Sequence, residues 1–182
     1  MLGGFVMIEE FHVKNVERIG VIADTHIPAR AKELPAEVYE VFQGVDLIIH
    51  AGDVVEMNVI QDLLSIAEVI AVHGNMCSSE VQDEFPYKCV VHVNGFKIGV
   101  VHGHGPVDRV HVKEHALQEF KRENVAVDCI IFGHTHYPEN EVIDGILFFN
   151  PGSAVDNKTL AENTVGILMV GHKSSGGIIK GE

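Results

Sequence analysis

Five short apolar runs, each ending in a residue that can ligate a metal or turn the backbone sharply, constrain this 182-residue chain more than any other feature. Arg-Ile-Gly-Val-Ile-Ala (18–23) leads into Asp24-Thr25-His26, and Asp-Leu-Ile-Ile-His-Ala (46–51) into Gly52-Asp53. Glu-Val-Ile-Ala-Val-His (68–73) leads into Gly74-Asn75. Lys-Ile-Gly-Val-Val (97–101) leads into His102-Gly103-His104, and Asp-Cys-Ile-Ile-Phe (128–132) into Gly133-His134-Thr135-His136. Continuous, β-branched apolar runs of this length predict strands buried on both faces. Helical spacing fills several of the gaps. Pro35 to Gln43 places Val38, Val41 and Phe42 on one face and stops at Gly44. Met57 to Ala67 aligns Ile60, Leu63, Leu64 and Ala67, and Arg109 to Glu123 aligns Val112, Ala116, Leu117 and Phe120. Strand–helix alternation builds βαβ units and a largely parallel sheet. Hairpins interrupt it where Asn94-Gly95 and Asp144-Gly145 favour tight primed turns, over Val90 to Val101 and Glu141 to Phe149. A last strand, Thr164 to Val170, is expected to pair with Gly177 to Lys180. The fold class is therefore α/β, with helices packed on a mixed sheet and two sheets facing each other. Residues 18–182 read as one domain, and residues 1–17 as an extension before the first core strand to which no function is assigned.

Composition narrows the class. Hydrophobic residues make up 46% and charged residues 21%, values of a globular chain. No apolar run reaches the ~18–20 residues of a membrane span, and the first residues lack a basic region followed by an apolar core. The expectation is a cytoplasmic protein with no membrane partner. Thirteen Lys and Arg face 26 Asp and Glu, a net charge of −13. Duplex nucleic acid would be repelled over most of such a surface. Cys77, Cys89 and Cys129 have no CxxC spacing and read as free thiols.

In open α/β sheets, ligands bind at the carboxyl ends of strands. All five polar clusters fall at such ends and converge if the strands are neighbours. In an extended segment, residues i and i+2 point the same way, so Asp24 and His26 are expected to meet one metal. His134 and His136 are likewise expected to face one site. Gly52 and Gly74 relieve crowding where the chain turns into it. The inventory exceeds the three or four protein ligands that one ion needs, and Asp53 stands alone in the middle of the series, placed to bridge. Two ions ~3.5–4 Å apart clamp both the attacking and the leaving oxygen of a displacement at phosphorus. Nitrogen and oxygen donors without thiolate suit Mn²⁺, Fe, Zn²⁺ or Ni²⁺ better than Ca²⁺, with Mn²⁺ expected first.

Asp24-x-His26, Gly52-Asp53, Gly74-Asn75, His102-Gly103-His104 and Gly133-His134-Thr135-His136, in this order, resemble the calcineurin-like metallophosphoesterase superfamily. The closest resemblance is to its small prokaryotic single-domain phosphodiesterases, and Asn150-Pro151-Gly152-Ser153 is similar to a motif of that subgroup. The resemblance covers nearly the whole chain from Arg18. It implies a four-layer αββα sandwich with the metal site at the carboxyl ends of the strands. It also implies that Asp24, His26 and His136 hold one ion, that Asn75, His102 and His134 hold the second, and that Asp53 bridges them. A hydroxide between the ions would attack phosphorus.

One position departs from the superfamily. Many members carry a His directly after the site's Asn, where this chain has Met76, and a thioether cannot donate a proton. His104 is the candidate substitute, with phosphate contact, a supporting place behind the ligands or plain surface exposure as alternatives. His50 reads as a supporting or core residue, and His73 as rim or core. His12, His92, His111, His115 and His172 read as surface residues, and Asn150-Pro151-Gly152-Ser153 first as a structural turn. The expected activity is hydrolysis of small phosphodiesters. Phosphomonoester hydrolysis, and a scaffold like the retromer subunit that shares this fold, are the alternatives. A homodimer is left open. A dinucleotide-binding protein is disfavoured because no G-x-G-x-x-G opens the first unit.

Overall fold

The computed structural model describes residues 8–156, 162–175 and 179–182. Its elements, in chain order, are β1 (Glu9–Val13), β2 (Arg18–Ile22), α1 (Ala36–Val41), β3 (Leu47–His50), α2 (Met57–Leu64), β4 (Glu68–Ala71), α3 (Ser79–Glu84), β5 (Lys88–Val93) and β6 (Phe96–Val101). After a 3₁₀ turn at Arg109–His111 come α4 (Val112–Lys121), β7 (Cys129–Ile131), β8 (Pro138–Ile143), β9 (Ile146–Pro151), β10 (Gly166–Val170) and β11 (Ile179–Gly181).

The strands form two mixed sheets, in the orders β1-β5-β6-β7-β9-β8 and β11-β10-β2-β3-β4. Strands β2, β3 and β4 run parallel, as do β6, β7 and β9. The period-2 alternation of the apolar runs explains the layering. In β3, Leu47 and Ile49 join the core between the sheets, while Ile48 faces the helix side with Val38, Phe42, Ile60 and Leu63. In β5, Val91 and Val93 face inward, and Val90 lies under Ala116 and Phe120 of α4. Helices α1, α2 and α3 therefore cover one sheet and α4 the other, which is the expected αββα sandwich. Fully burying a Leu, Ile or Phe side chain stabilises by about 1.5–3 kcal/mol, so these three clusters fix the strand ends on which the polar loops sit.

Both hairpin turns form with positive φ at their two central residues, 51° and 87° at Asn94 and Gly95, and 50° and 81° at Asp144 and Gly145. The helices are shorter than their periodic patterns. Residues Arg109–His111 form a 3₁₀ turn because Asp108 accepts hydrogen bonds from the amides of Val110 and His111. Two elements were not anticipated. Helix α3 is capped by Ser78, whose Oγ accepts from the Val81 amide. Strand β1 lies in the leading segment and pairs parallel with β5, turning Phe11 and Val13 toward the core. Strand β10 pairs antiparallel with β11 over Leu168–Val170, and residues 177–178, the first half of the expected partner of that strand, lie outside the described residues. No described helix is long and apolar enough to cross a membrane.

Candidate metal centre

The loops after β2 and β3 are tied to each other by backbone. The Asp24 amide donates to the Gly52 carbonyl at 3.0 Å and the His26 amide to the Asp53 carbonyl at 3.1 Å. On the facing sheet, the loop after β7 is tied to the end of β6 by the Gly133 amide, which donates to the His102 carbonyl at 3.1 Å. The two pairs of loops meet at one end of the sandwich. Two donor groups result, one of Asp24, His26 and His136, the other of Asp24, Asp53 and His102, and within each group the ligand atoms lie no more than 4.8 Å apart. Asp24 Oδ1 is 3.3 Å from His136 Nε2, 3.7 Å from His26 Nε2 and 3.9 Å from His102 Nε2. Asn75 and His134 stand nearer solvent and line the opening with His26, Asp53 and His136, in a cleft of about 170 Å³. The His134 ring meets the His102 ring edge-on at 5.2 Å. Five of the seven expected ligands thus line one cleft, and Asp24 and His102 are fully buried against them.

Backbone geometry brings them there by a route the strand periodicity did not suggest. Asp24, His26, Asp53, His134 and His136 all have left-handed φ, between 44° and 67°. Their segments are not extended, so the expected i, i+2 alignment is replaced by left-handed residues that alternate with Thr25 and Thr135. Left-handed non-glycine residues cost about 1–3 kcal/mol each unless their surroundings hold them, and they gather at functional sites. Gly52 and Gly74 serve as expected. A Cβ on Gly52 would come within 2.6 Å of the His102 ring, and one on Gly74 would fall on the Asp53 carboxylate.

The side chains are held from behind. His102 Nδ1 donates to the Ala51 carbonyl at 2.8 Å and His136 Nδ1 to the Asp156 carbonyl at 2.9 Å, which leaves each Nε2 facing the cleft. Asp53 Oδ1 accepts from the Met76 amide at 2.8 Å, and Asp24 Oδ2 from the His134 amide at 3.0 Å. His50 takes the supporting place expected of it. The Gly52 amide donates to its Nδ1 at 3.2 Å, so Nε2 carries the proton toward Thr25 Oγ1, 3.2 Å away, and Thr25 in turn donates to the Asp53 carbonyl. Burial drives the His50 imidazole down to about 3 and keeps it neutral. At His102 burial opposes charge, but the Asp53 carboxylate with Asp24 beside it outweighs burial and lifts the imidazole to about 8. The same contact holds the Asp53 carboxyl below its ordinary range, against the effect of burial.

Other histidines depart from expectation. His115 is half-buried, and its Nε2 donates to the His104 carbonyl at 3.3 Å, a carbonyl that Tyr87 Oη also reaches at 3.1 Å. His92 is half-buried too. His73, expected at the rim or in the core, is half-buried, its ring 6.2 Å from that of His104, and neither residue lines the cleft. His104 lies beside His102 at 5.5 Å between ring centres, and burial, then His102, push its imidazole down to about 4. It is neutral at pH 7, whereas a proton donor must carry its proton there. Asn150-Pro151-Gly152-Ser153 is a structural turn, with the Gly152 amide bonded to Asn150 Oδ1, and it also supports the centre. Asn150 Nδ2 donates to the Gly133 carbonyl and Thr135 Oγ1, and Ser153 Oγ donates to the Asp24 carbonyl. The sequence reading passed over Arg30 and Arg109, which line the mouth of the cleft.

The donor set fits divalent ions. Asp24 Oδ1 and His102 Nε2 are both buried and without a hydrogen-bond partner, and an unsatisfied buried polar atom costs about 1–3 kcal/mol. A cation coordinated at these atoms removes that cost. Residues 18–173 match the profile of the calcineurin-like phosphoesterase superfamily domain. The chain belongs to that superfamily. It is 42% identical over 136 residues to a probable metallophosphoesterase of Methanocaldococcus jannaschii, covering 74% of this chain and 67% of that one. It is 28% identical over 170 residues to a phosphodiesterase of the same organism, covering 83% and 92%. Among solved structures, Vacuolar Protein Sorting 29 of Cryptosporidium parvum shares the fold with a TM-score of 0.68 at 26% identity, covering 92% of this chain and 97% of that one. The metallophosphoesterase family and its metal-binding character agree with the donor groups at the cleft.

Proposed function

We propose that this metallophosphoesterase is a phosphodiesterase acting on small phosphodiesters with two bound divalent ions, Mn²⁺ first and Ni²⁺, Fe or Zn²⁺ as substitutes. Asp24, His26 and His136 would hold one ion, Asn75, His102 and His134 the other, and Asp53 both. The observation that carries this reading is the pair of orphaned donors, Asp24 Oδ1 and His102 Nε2, buried 3.3 Å behind His136 and Asp53 of a cleft lined by the remaining candidates. When bound, such ions withdraw charge from phosphoryl oxygens and make water nucleophilic at neutral pH.

The chain's own groups supply the rest. Arg30 and Arg109 bring two guanidinium groups to the mouth of a cleft in a chain of net charge −13, where they attract and orient an ester phosphate. A cleft of about 170 Å³ accommodates the phosphate and its first substituents. Met76, 52% exposed at the rim, offers apolar contact and no proton. Two cations at the mouth also favour a dianionic monoester, which supports phosphomonoester hydrolysis as the second reading. The likeness to Vacuolar Protein Sorting 29 supports a scaffold reading, but every ligand position here is filled.

The test gives chelator-stripped protein Mn²⁺, Ni²⁺, Zn²⁺ or Mg²⁺ with nitrophenyl mono- and diesters. Diester turnover above monoester turnover, highest with Mn²⁺, is the expected result. Monoester preference would move the assignment to the second reading, and inertness with every metal would move it to the scaffold.

A further inference from the structure

A second constellation of metal donors lies at the far end of the sheet that carries His102. Strand β1 runs parallel to β5, with His12 and His92 as register partners. Glu10 sits two residues before His12, so both project from the same face of β1. That face is the outer one, since Phe11 and Val13 turn inward. The His12 and His92 rings stack at 4.2 Å between centres with an interplanar angle of 16°. Glu10 Oε2 lies 2.9 Å from His92 Nε2 and 3.8 Å from His12 Nε2. A ligand atom from each residue lies within 4.8 Å of both others.

We propose that Glu10, His12 and His92 form a separate surface site for a divalent transition metal of the Zn²⁺ class, joining β1 to β5. Metal–ligand bonds of ~2.0–2.2 Å in a tetrahedral site put neighbouring donors about 3.3 Å apart. The separations of 2.9 and 3.8 Å straddle that figure. Two imidazoles and one carboxylate match the donor type that Zn²⁺, Ni²⁺ and Cu²⁺ take in preference to Mn²⁺. Joint coordination requires the stacked rings to swing apart so that both lone pairs converge, a rotation open to the exposed side chain of His12, with Glu10 following, and a position is left for water. The net charge of −13 favours a cation at this surface. The opposing charges are the exposed Lys97, register partner of His92 on β6, and the exposed Lys14, which lines the same surface depression as His12 and His92; the flexible stems of both let their ammonium groups turn to solvent. Strands β5 and β6 are antiparallel, so His92 lies at the opposite end of this strand pair from His102. The site is independent of the cleft. An ion there ties the edge strand β1 to the sheet by side chains as well as by backbone.

The test compares the full chain with His12→Ala and His92→Ala after saturation with Zn²⁺ and removal of loosely held metal. Elemental analysis is expected to find one ion fewer per chain in each variant than in the unaltered protein. Affinity for that ion falls about tenfold or more, while hydrolysis of a nitrophenyl diester stays within twofold. Amide exchange along Glu9–Val13 is expected to slow on adding Zn²⁺ to the unaltered protein and not to His12→Ala. Equal ion counts in all three proteins would overturn the proposal, whatever number the cleft itself holds.

Discussion

Asp53 Oδ2 lies 3.5 Å from His26 Nε2 on one side and 3.3 Å from His102 Nε2 on the other. Its second oxygen is fixed by the Met76 amide, and Gly74 passes so close behind it that a Cβ would fall on Oδ1 and 2.6 Å from the Asp53 backbone nitrogen. Gly74→Ala therefore must move Asp53 or the chain after β4. Overpacking of this kind costs about 1–3 kcal/mol, so calorimetry should show a melting temperature several degrees lower, with weakened metal retention. Normal melting together with normal metal content would show that the contact is relieved without disturbing Asp53.

The strand ends of the centre were legible because parallel strands buried on both faces write unbroken apolar runs into the chain, and the ligands follow them directly. The backbone route was not. Nothing in Asp24-Thr25-His26 signals that two of its residues are left-handed, because loops held by long-range amide bonds impose that conformation. Strand β1 escaped notice for a related reason. Glu9, Glu10 and His12 are polar residues of an edge strand, and only Phe11 and Val13 alternate inward. Arg30 sits in an exposed loop and Arg109 at the exposed start of a helical pattern far from it in the chain, so only the fold reveals that they share a mouth. The pairing of His12 with His92 depends on register between strands far apart in the chain.

His104 tests how the leaving group is handled. A positioned general acid contributes ~10²–10⁴-fold when the departing oxygen needs a proton. With its imidazole pushed down to about 4, His104 is deprotonated at pH 7. His104→Ala is therefore expected to slow nitrophenyl diesters and alkyl diesters by similar factors. Kinetics in which alkyl diesters lose at least tenfold more, with metal content intact, would restore His104 as the acid.

Arg109 reaches the mouth without belonging to either donor group. Removing one exposed charge-assisted contact to phosphate should raise KM for a small diester by about three- to tenfold and leave metal content unchanged. The effect should shrink as ionic strength rises. An Arg109→Ala variant with unaltered KM at low salt would place the phosphate elsewhere.

The thiols give a check on packing. Cys89 and Cys129 are fully buried, and burial pushes the Cys89 thiol up to about 12 and the Cys129 thiol higher still. Cys77 is half-buried, also raised by burial, and its Sγ accepts from the Gly74 amide at 3.0 Å. Since the thiolate is the reactive form, an aromatic disulfide reagent at pH 8 should label Cys77 slowly and the other two only after unfolding. Labelling of more than one thiol per native chain would contradict the packing between the sheets.

The two-metal centre is tested most directly by counting Mn²⁺ in the His12→Ala background, where the surface cluster no longer contributes. Saturated protein should hold two ions per chain and hydrolyse a nitrophenyl diester. Asp53→Asn in the same background should lose both ions more readily and fall in activity by about a hundredfold or more, since even supporting partners of metal ligands contribute 10–100-fold. One ion per chain with full activity, or two ions retained by Asp53→Asn as tightly as before, would contradict a centre bridged by Asp53.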